Sequence, residues 1–526
     1  MSNGILIAGT SSDSGKSTIV AGLCRWLASK GYKVAPFKGQ NMSLNSFVTH
    51  ENLEIGRAQA SQAMAARILP SVEMNPILLK PTGERLSQLI VRGVATREVD
   101  AVEFQAIKAE LLPTVLASFE SLSKEVDFVI LEGAGSPAEI NLMDNDLVNL
   151  GLACLLEVPA LLVGDIERGG VFAHLYGTYE LLPSERRSLV KGFMINKFRG
   201  DARLLDDAIL KLSRLTSMDF LGTIAFERGL VLDREDSMSL GSLFDQTSRS
   251  ASVLDVAVIG VGHISNFTDF EPLVGESGLS LRLVKSPAEL SVPDLLILPG
   301  SKSTVTDLAW LRQLGFEPAI WNAYRNGSII LGICGGYQML GSKIVDDVES
   351  HNGETLGLGL LECETQFFPS KITRQRIGKL GPWCLGAPQV IGYEIHHGIT
   401  TPEDNLEPFC LLESMGIEEE RSPVSKSLSE PTSQPTTSRP FEREGAISPN
   451  RRVFGSNLHG IFENDDFRKA FLYHVAMQRE KPFVPSDLSY SDMRNAYFDS
   501  IAQLLDRSLD MNRILELLVG PVTTES

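Results

Sequence analysis

The sequence predicts an α/β protein built from two tandem doubly wound domains, and three observations carry that prediction. At 526 residues the chain is too long for a single core. Short apolar runs of strand length alternate with longer amphipathic stretches along most of it, as parallel sheets with crossover helices require. A polar, Ser-rich stretch at residues 233–252 separates two such series.

The first series spans residues 1–232. Its strand candidates are Gly4–Ala8, Lys33–Phe37, Asp127–Leu131, Ala160–Val163 and Gly192–Ile195. Between them lie helical stretches such as Thr18–Lys30 and Ala101–Leu122. The second series spans 253–488, with strand candidates Asp255–Ile259, Leu279–Val284, Leu295–Leu298, Ser328–Ile333 and Val453–Asn457. Within it, residues 418–449 are dense in Ser, Thr, Pro and Glu and nearly empty of large apolar side chains. Such a composition buries too little surface to offset chain entropy, so a disordered surface insertion is expected there. The end of the chain, 489–526, reads as an amphipathic helical extension, expected to dock on the second domain.

Composition narrows the function classes. Hydrophobic residues make up 43% and charged residues 22%, ordinary for a soluble globular chain. The formal charge of −18 disfavours nucleic acid or an anionic membrane as partner, because both need basic patches. The first residues lack the basic region of a secretory signal, and no run reaches the 18 apolar residues of a membrane span. The six cysteines are scattered and form no CxxC pair, which argues against a disulfide framework or a structural zinc site. A cytoplasmic protein is the expectation.

The strand Gly4–Ala8 runs into Gly9-Thr10-Ser11-Ser12-Asp13-Ser14-Gly15-Lys16-Ser17, after which a helical pattern begins. This strand–loop–helix context is what a phosphate loop needs: backbone N–H groups turn inward on phosphate oxygens and the helix N-terminus adds its positive end. Gly9, Thr10, Asp13, Ser14, Gly15, Lys16 and Ser17 are therefore candidate ATP-binding residues, Lys16 reaching the β/γ-phosphates and Ser17 ligating Mg²⁺. The first glycine stands one position earlier than in the usual spacing. A second buried strand ends in Glu132, where an acid can reach Mg²⁺ or its water, although a solvated turn would also place a Glu there. A third ends in Asn196, able to read an adenine edge or simply to close a turn.

In the second series, Ser328–Ile333 leads into Gly332-Ile333-Cys334-Gly335-Gly336 and then a helix, the cysteine version of a nucleophile elbow. Glycines at 332 and 336 allow a sharp turn that lifts Cys334 to a helix N-terminus, where the nucleophilic thiolate is favoured. His459, in Asn457-Leu458-His459-Gly460 directly after a strand, is the candidate base; His396 and His397 look like site-lining residues. Backbone N–H groups at Gly300, in a glycine turn after Leu295–Leu298, and at Gly335 are candidates for the oxyanion hole.

Cys334 and His459 in these contexts resemble class I glutamine amidotransferases. That class usually carries H-x-E, and here the third position is Ile461, a departure shared by the cobyric/cobyrinic acid amidotransferase branch. It leaves the partner that orients His459 open, with Glu463 a guess. The displaced phosphate-loop spacing is similar to that of dethiobiotin synthetase-like ligases. Further segments, among them Lys38–Ser46, Glu54–Ala60, Met74–Pro81, Glu132–Asn141, Gly164–Phe172 and Ile264–Phe270, make the chain similar nearly end to end to the cobyric acid synthases.

That resemblance implies a ligase that uses ATP, Mg²⁺ and glutamine to amidate the b, d, e and g carboxylates of adenosylcobyrinic acid a,c-diamide through acyl phosphates. The resemblance assigns the corrinoid loosely to Asn41, Ser43, Asn45, Glu54, Arg57 and Gln59. Asp144 and Asp146 are equally open to a metal or substrate role and to a solvated turn. Two other readings stand beside it. Another glutamine-dependent amide ligase, such as cobyrinic acid a,c-diamide synthase, would carry a G-P-D-Y-I-D-P type segment where this chain has Gly39–Ser46. A non-catalytic P-loop switch would have no glutaminase activity.

Overall fold

The computed structural model describes residues 3–83, 85–227, 253–384, 386–413, 441–487 and 489–520. The chain forms two compact units, Met1–Ser239 together with Ser491–Ser526, and Leu240–Tyr490. The predicted linker 233–252 lies outside the described residues.

The first unit is built on a six-stranded parallel sheet in the order Asp219–Ala225, Val190–Phe198, Ala160–Asp165, Gly4–Gly9, Phe128–Glu132, Val34–Phe37. Its central strands are buried at every position, which is why they read in the sequence as continuous apolar runs without alternation. The two neighbours of Gly4–Gly9 are not its neighbours in sequence, so the strand order reverses there and opens a crevice at the carboxyl ends. The phosphate loop sits at that crevice. A smaller sheet, Gln40–Met42, Ile77–Pro81, Leu86–Val91 and Val94–Asp100, is inserted between the second and third strands of the domain, and Asp100 caps the following helix Ala101–Glu125 through the N–H groups of Val102 and Glu103, both at 2.8 Å.

From Ser491 onward the C-terminal helices Tyr490–Ser508 and Met511–Val519 belong to this first unit, where the sequence reading expected the second. Ile501, Leu505, Ile514 and Leu518 join one core with Leu23, Leu27, Val163 and Met194. Arg25 Nε pairs with Asp499 Oδ1 at 2.7 Å, and Trp26 Nε1 donates to Asp506 Oδ1 at 2.7 Å. At Gly22 a Cβ would fall 2.5 Å from Ile501 Cγ2, so the helix after the phosphate loop is shaped to receive this cover. An amphipathic pattern says that a helix docks; it does not say on what.

The second unit has a parallel sheet in the order Leu279–Val284, Leu254–Ile259, Leu295–Leu298, Ile329–Ile333, Val453–Ser456, closed by the antiparallel strand Ala446–Ile447. Beside it lies a second sheet dominated by the long pair Cys363–Leu380 and Gln389–Pro402. The insertion expected at 418–449 is overturned at its C-terminal end: Phe441–Glu444 pairs with Cys410–Glu413, and Ala446–Ile447 pairs with Val453–Ser456. Phe441, Glu442 and Arg443 are exposed and only Glu444 is buried, so an edge strand there has the composition of a loop. Residues 414–440 lie outside the described residues.

Candidate functional site

In the first unit the phosphate loop closes on itself. A Cβ at Gly9 would meet Ser14 Oγ at 2.2 Å, and Gly15, at φ 95°, has the left-handed backbone that starts the helix Lys16–Ser29. Lys16 Nζ folds back on the carbonyls of Ser11 at 3.0 Å and Gly135 at 3.3 Å. The hydroxyl oxygens of Thr10 and Ser14 are buried with no hydrogen-bond partner. Buried polar atoms of this kind are rare unless a ligand satisfies them, and phosphate oxygens fit the need. Asp13 stands at the exposed tip of the loop, 4.0 Å from Arg168. Asn196 donates from Nδ2 to the Ser14 carbonyl at 2.8 Å and accepts from Lys197 N–H, so its amide pins the phosphate loop.

Glu132 is the charged centre of this site. Its Oε1 accepts from Ser17 Oγ at 2.8 Å and from Lys38 Nζ at 3.0 Å, and its Oε2 accepts from Gln62 Nε2 at 2.5 Å. Burial pushes a carboxyl up, but the Lys38 charge and the hydrogen bonds from Gln62, Lys38 and Ser17 outweigh it and hold Glu132 below its ordinary value. The Ser17 hydroxyl and the Glu132 carboxylate touch, and together they form a fitting pair of oxygen donors for Mg²⁺. Among the described residues no group of three or more His, Cys, Asp or Glu is placed to hold a metal ion, so an ion here would take its other ligands from phosphate oxygens and water. Lys38 and Gln62 were not singled out in the sequence. The signals for Lys38 are its place directly after the strand Val34–Phe37 and at the head of the segment Lys38–Ser46 that carries the family resemblance.

Six of the predicted substrate residues come together in a buried polar knot. Asn41 Nδ2 donates to Gln59 Oε1 at 2.9 Å, Ser43 Oγ accepts from Asn45 N–H at 3.0 Å, and the Asn45 carbonyl accepts from Arg57 N–H at 3.1 Å. Glu54 forms a buried ion pair with Lys80 at 2.8 Å. Asp146 is not with them. Its Oδ1 accepts from Val148 N–H and Asn149 N–H, and its Oδ2 from Gly151 N–H at 2.8 Å, so its carboxylate ties down the turn that opens the helix Leu150–Leu156.

In the second unit the elbow is as sharp as its glycines allow. Cys334 has φ 49° and ψ −111°, a strained conformation for a residue with a side chain. A Cβ at Gly336 would lie 2.0 Å from the Leu298 carbonyl oxygen, and one at Gly332 would lie 2.7 Å from the Gly336 backbone. Both positions therefore need glycine for close approach. Cys334 is 5% exposed, its N–H donates to the Ser456 carbonyl at 2.7 Å, and its Sγ lies 3.9 Å from the Ile395 carbonyl, which places it against the segment holding His396 and His397.

His459 is held from three sides. Nδ1 bonds Asp269 Oδ2 at 2.7 Å while Gly460 N–H donates to Asp269 Oδ1 at 2.8 Å. The Tyr393 ring stacks on the imidazole at 5.6 Å, and the two residues also pair through their backbones. Burial alone disfavours the imidazolium, but the charges and hydrogen bonds of Asp269 and Cys334 override it and raise the His459 pKa to about 10. With Nδ1–H committed to Asp269, Nε2 is left for the thiol. The orienting residue is thus Asp269, from Phe267–Phe270, and not Glu463. It lies 190 residues from His459 in sequence, and no spacing rule could have found it.

The Gly300 turn packs into the same place. A Cβ at Gly300 would fall 2.8 Å from His459 Cε1, and one at Gly335 would fall 2.8 Å from Ser301 N. The Gly300 carbonyl is tied down by Ser265 N–H at 2.9 Å, which orients the turn, and Gly335 opens the helix Gly335–Leu340, whose first N–H groups have no partner within the helix.

This fold and these two sites define a glutamine-dependent amidotransferase joined to a P-loop nucleotide-binding domain. Family models agree: the CobQ/CobB/MinD/ParA nucleotide binding domain matches residues 5–238, and the CobB/CobQ-like glutamine amidotransferase domain matches residues 255–467. The chain is 42% identical over 519 residues to the cobyric acid synthase of Listeria innocua serovar 6a, covering 98% of this chain and 96% of the relative. It is likewise 42% identical over 518 residues to that of Limosilactobacillus reuteri, covering 98% of both. The chain belongs to the cobyric acid synthase family.

Proposed function

We propose that this ligase amidates the b, d, e and g carboxylates of adenosylcobyrinic acid a,c-diamide, using ammonia released from glutamine at Cys334 and His459. The observation that carries the nitrogen-supplying half is the Cys334–His459–Asp269 arrangement on a strained elbow. Cys334 attacks the side-chain amide of glutamine, backbone N–H groups of the Gly300 turn and Gly335 receive the oxyanion, and His459 protonates the departing ammonia. Water then attacks the thioester, with His459 as base, and glutamate leaves.

In the first unit, the loop amides and Lys16 hold the ATP phosphates while a substrate carboxylate takes the γ-phosphoryl group; ammonia then displaces phosphate from the acyl phosphate. Ser17 and Glu132 would hold Mg²⁺, which when bound supplies charge neutralisation on the phosphate oxygens. Lys38, bound to Glu132, is suited to balance the negative charge that gathers there. The polar knot around Asn41, Arg57 and Gln59 is read as the support of the corrinoid site, because Gln62, on the helix Arg57–Ala65 that also carries Arg57 and Gln59, donates to Glu132. The dependence on ATP and the absence of disulfides among the six cysteines fit a cytoplasmic site of action. Among the described residues no helix is long and apolar enough to cross a membrane.

The test is mass spectrometry of adenosylcobyrinic acid a,c-diamide incubated with the protein, Mg-ATP and glutamine. Each carboxylate-to-amide change lowers the mass by about one unit, because OH is replaced by NH₂. A loss of four units is expected; an unchanged corrinoid with intact glutaminase activity would overturn the substrate assignment. Lys16→Ala is expected to slow amidation by about 10²- to 10³-fold with glutamine or ammonium alike, since it removes a phosphate-binding charge. Glutamine hydrolysis measured without corrinoid should stay within a few-fold of normal in that variant.

A further inference from the structure

A carboxyl group that the proposed mechanism does not use lies directly behind the nucleophile. Glu444 ends the edge strand Phe441–Glu444 and is 6% exposed. Its Oε1 accepts from Asn457 N–H at 2.7 Å and its Oε2 bonds the Ser456 hydroxyl at 2.9 Å. Ser456 Oγ in turn accepts from Leu458 N–H at 3.1 Å. One side chain therefore gathers residues 456, 457 and 458, the segment between the strand Val453–Ser456 and His459. The same segment anchors the nucleophile, because the Ser456 carbonyl accepts the Cys334 N–H.

We propose that Glu444 is a positioning residue of the glutaminase site, fixing the strand end that carries both the backbone anchor of Cys334 and the approach of His459. The proposal rests on the reading of Cys334 and His459 as the glutaminase pair. A shift of about 1 Å in a reacting group can cost on the order of 10²-fold in rate, so a side chain that fixes both partners controls turnover without touching glutamine.

The charge state of Glu444 has a defined setting. Burial, the largest influence, and the nearby Glu394 carboxylate push it up to about 8, against the hydrogen bonds from Asn457 and Ser456 and the charge of His396. Glu394 itself is held down at about 2: burial opposes this, but His396, Arg374 and Arg376 outweigh it. Cys410 and Tyr337, the other titratable neighbours, are pushed well above their ordinary values by burial, so neither gains a charge below that range. At neutral pH Glu444 is therefore uncharged, and above about pH 8 a second carboxylate appears beside Glu394.

Glutamine hydrolysis and ammonium-driven amidation are measured with the full chain for Glu444→Gln, Glu444→Ala and, in parallel, Cys334→Ala. Glutamine mimics the neutral carboxyl: its carbonyl accepts Asn457 N–H and its amide donates to Ser456 Oγ. Glu444→Gln should hold the hydrolytic kcat within about 3-fold of normal near pH 7 and lose any fall in kcat that sets in above about pH 8. Glu444→Ala should lower that kcat by about 10- to 100-fold, with KM for glutamine little changed and ammonium-driven amidation intact. Normal hydrolytic kcat in Glu444→Ala would overturn the proposal, as would a Glu444→Gln defect as deep as that of Glu444→Ala. Normal hydrolysis in Cys334→Ala would instead overturn the reading on which it rests.

Discussion

Replacing Cys334 with alanine is expected to lower glutamine-dependent amidation by roughly 10⁶-fold, the scale seen when a covalent nucleophile is removed. Ammonium-driven amidation should persist. The size follows from the chemistry: without the thiol there is no thioester, and the oxyanion donors proposed at Gly300 and Gly335 would act only on a tetrahedral centre that the thiol creates. The selectivity follows from the fold, because the phosphate loop, Lys16 and Glu132 belong to a separate compact unit with its own core. Alanine also fits the site, since it is smaller than cysteine and the bond from the residue 334 N–H to the Ser456 carbonyl does not involve the side chain. Corrinoid mass followed against glutamine and against ammonium separates the two activities. Glutamine-dependent product in Cys334→Ala would sink the assignment of the nucleophile.

Asp269→Asn is expected to cost about 10⁴-fold in glutamine hydrolysis, the scale found where the carboxylate of a catalytic triad is replaced by its amide. The amide is nearly the same shape, so the cavity and the bond to Gly460 N–H survive. What changes is the partner at Nδ1: a carboxylate only accepts and so keeps the Nδ1–H tautomer, whereas an amide can donate and flip it. The variant also loses the charge that raises the His459 pKa to about 10. A folded-state pKa raised above the ordinary 6.5 contributes stability that is complete below 6.5 and is lost as pH rises through about 10. In Asp269→Asn the loss of stability over that window should therefore flatten, as thermal unfolding at several pH values would show. Hydrolysis within a few-fold of normal would remove Asp269 from the mechanism.

Much of this site is legible in a linear reading because it is built from short segments whose geometry is local. Gly15, Lys16 and Ser17 follow one strand, and Cys334 and Gly336 follow another that ends through Gly332; in both, one turn joins a buried strand to a helix start. Asp269, Lys38 and Gln62 were not readable as site residues. Each acts through a partner far away in sequence, His459 in the first case and Glu132 in the other two. Asp146, left open in the sequence between a ligand role and a turn, is held within its turn. An acid in a glycine- and asparagine-rich turn resembles a ligand, but its oxygens are taken up by three backbone N–H groups of the next helix start.

The sequence by itself determined the two α/β units, the phosphate loop and the cysteine elbow, because apolar periodicity and glycine placement act over a few residues and need no distant partner. The tertiary structure alone decided which surface receives the C-terminal helices, that Phe441–Glu444 is an edge strand, and that Asp269 orients His459. Those outcomes depend on which faces and charges meet when segments up to hundreds of residues apart are packed together, and burial sets the strength of each contact once they meet.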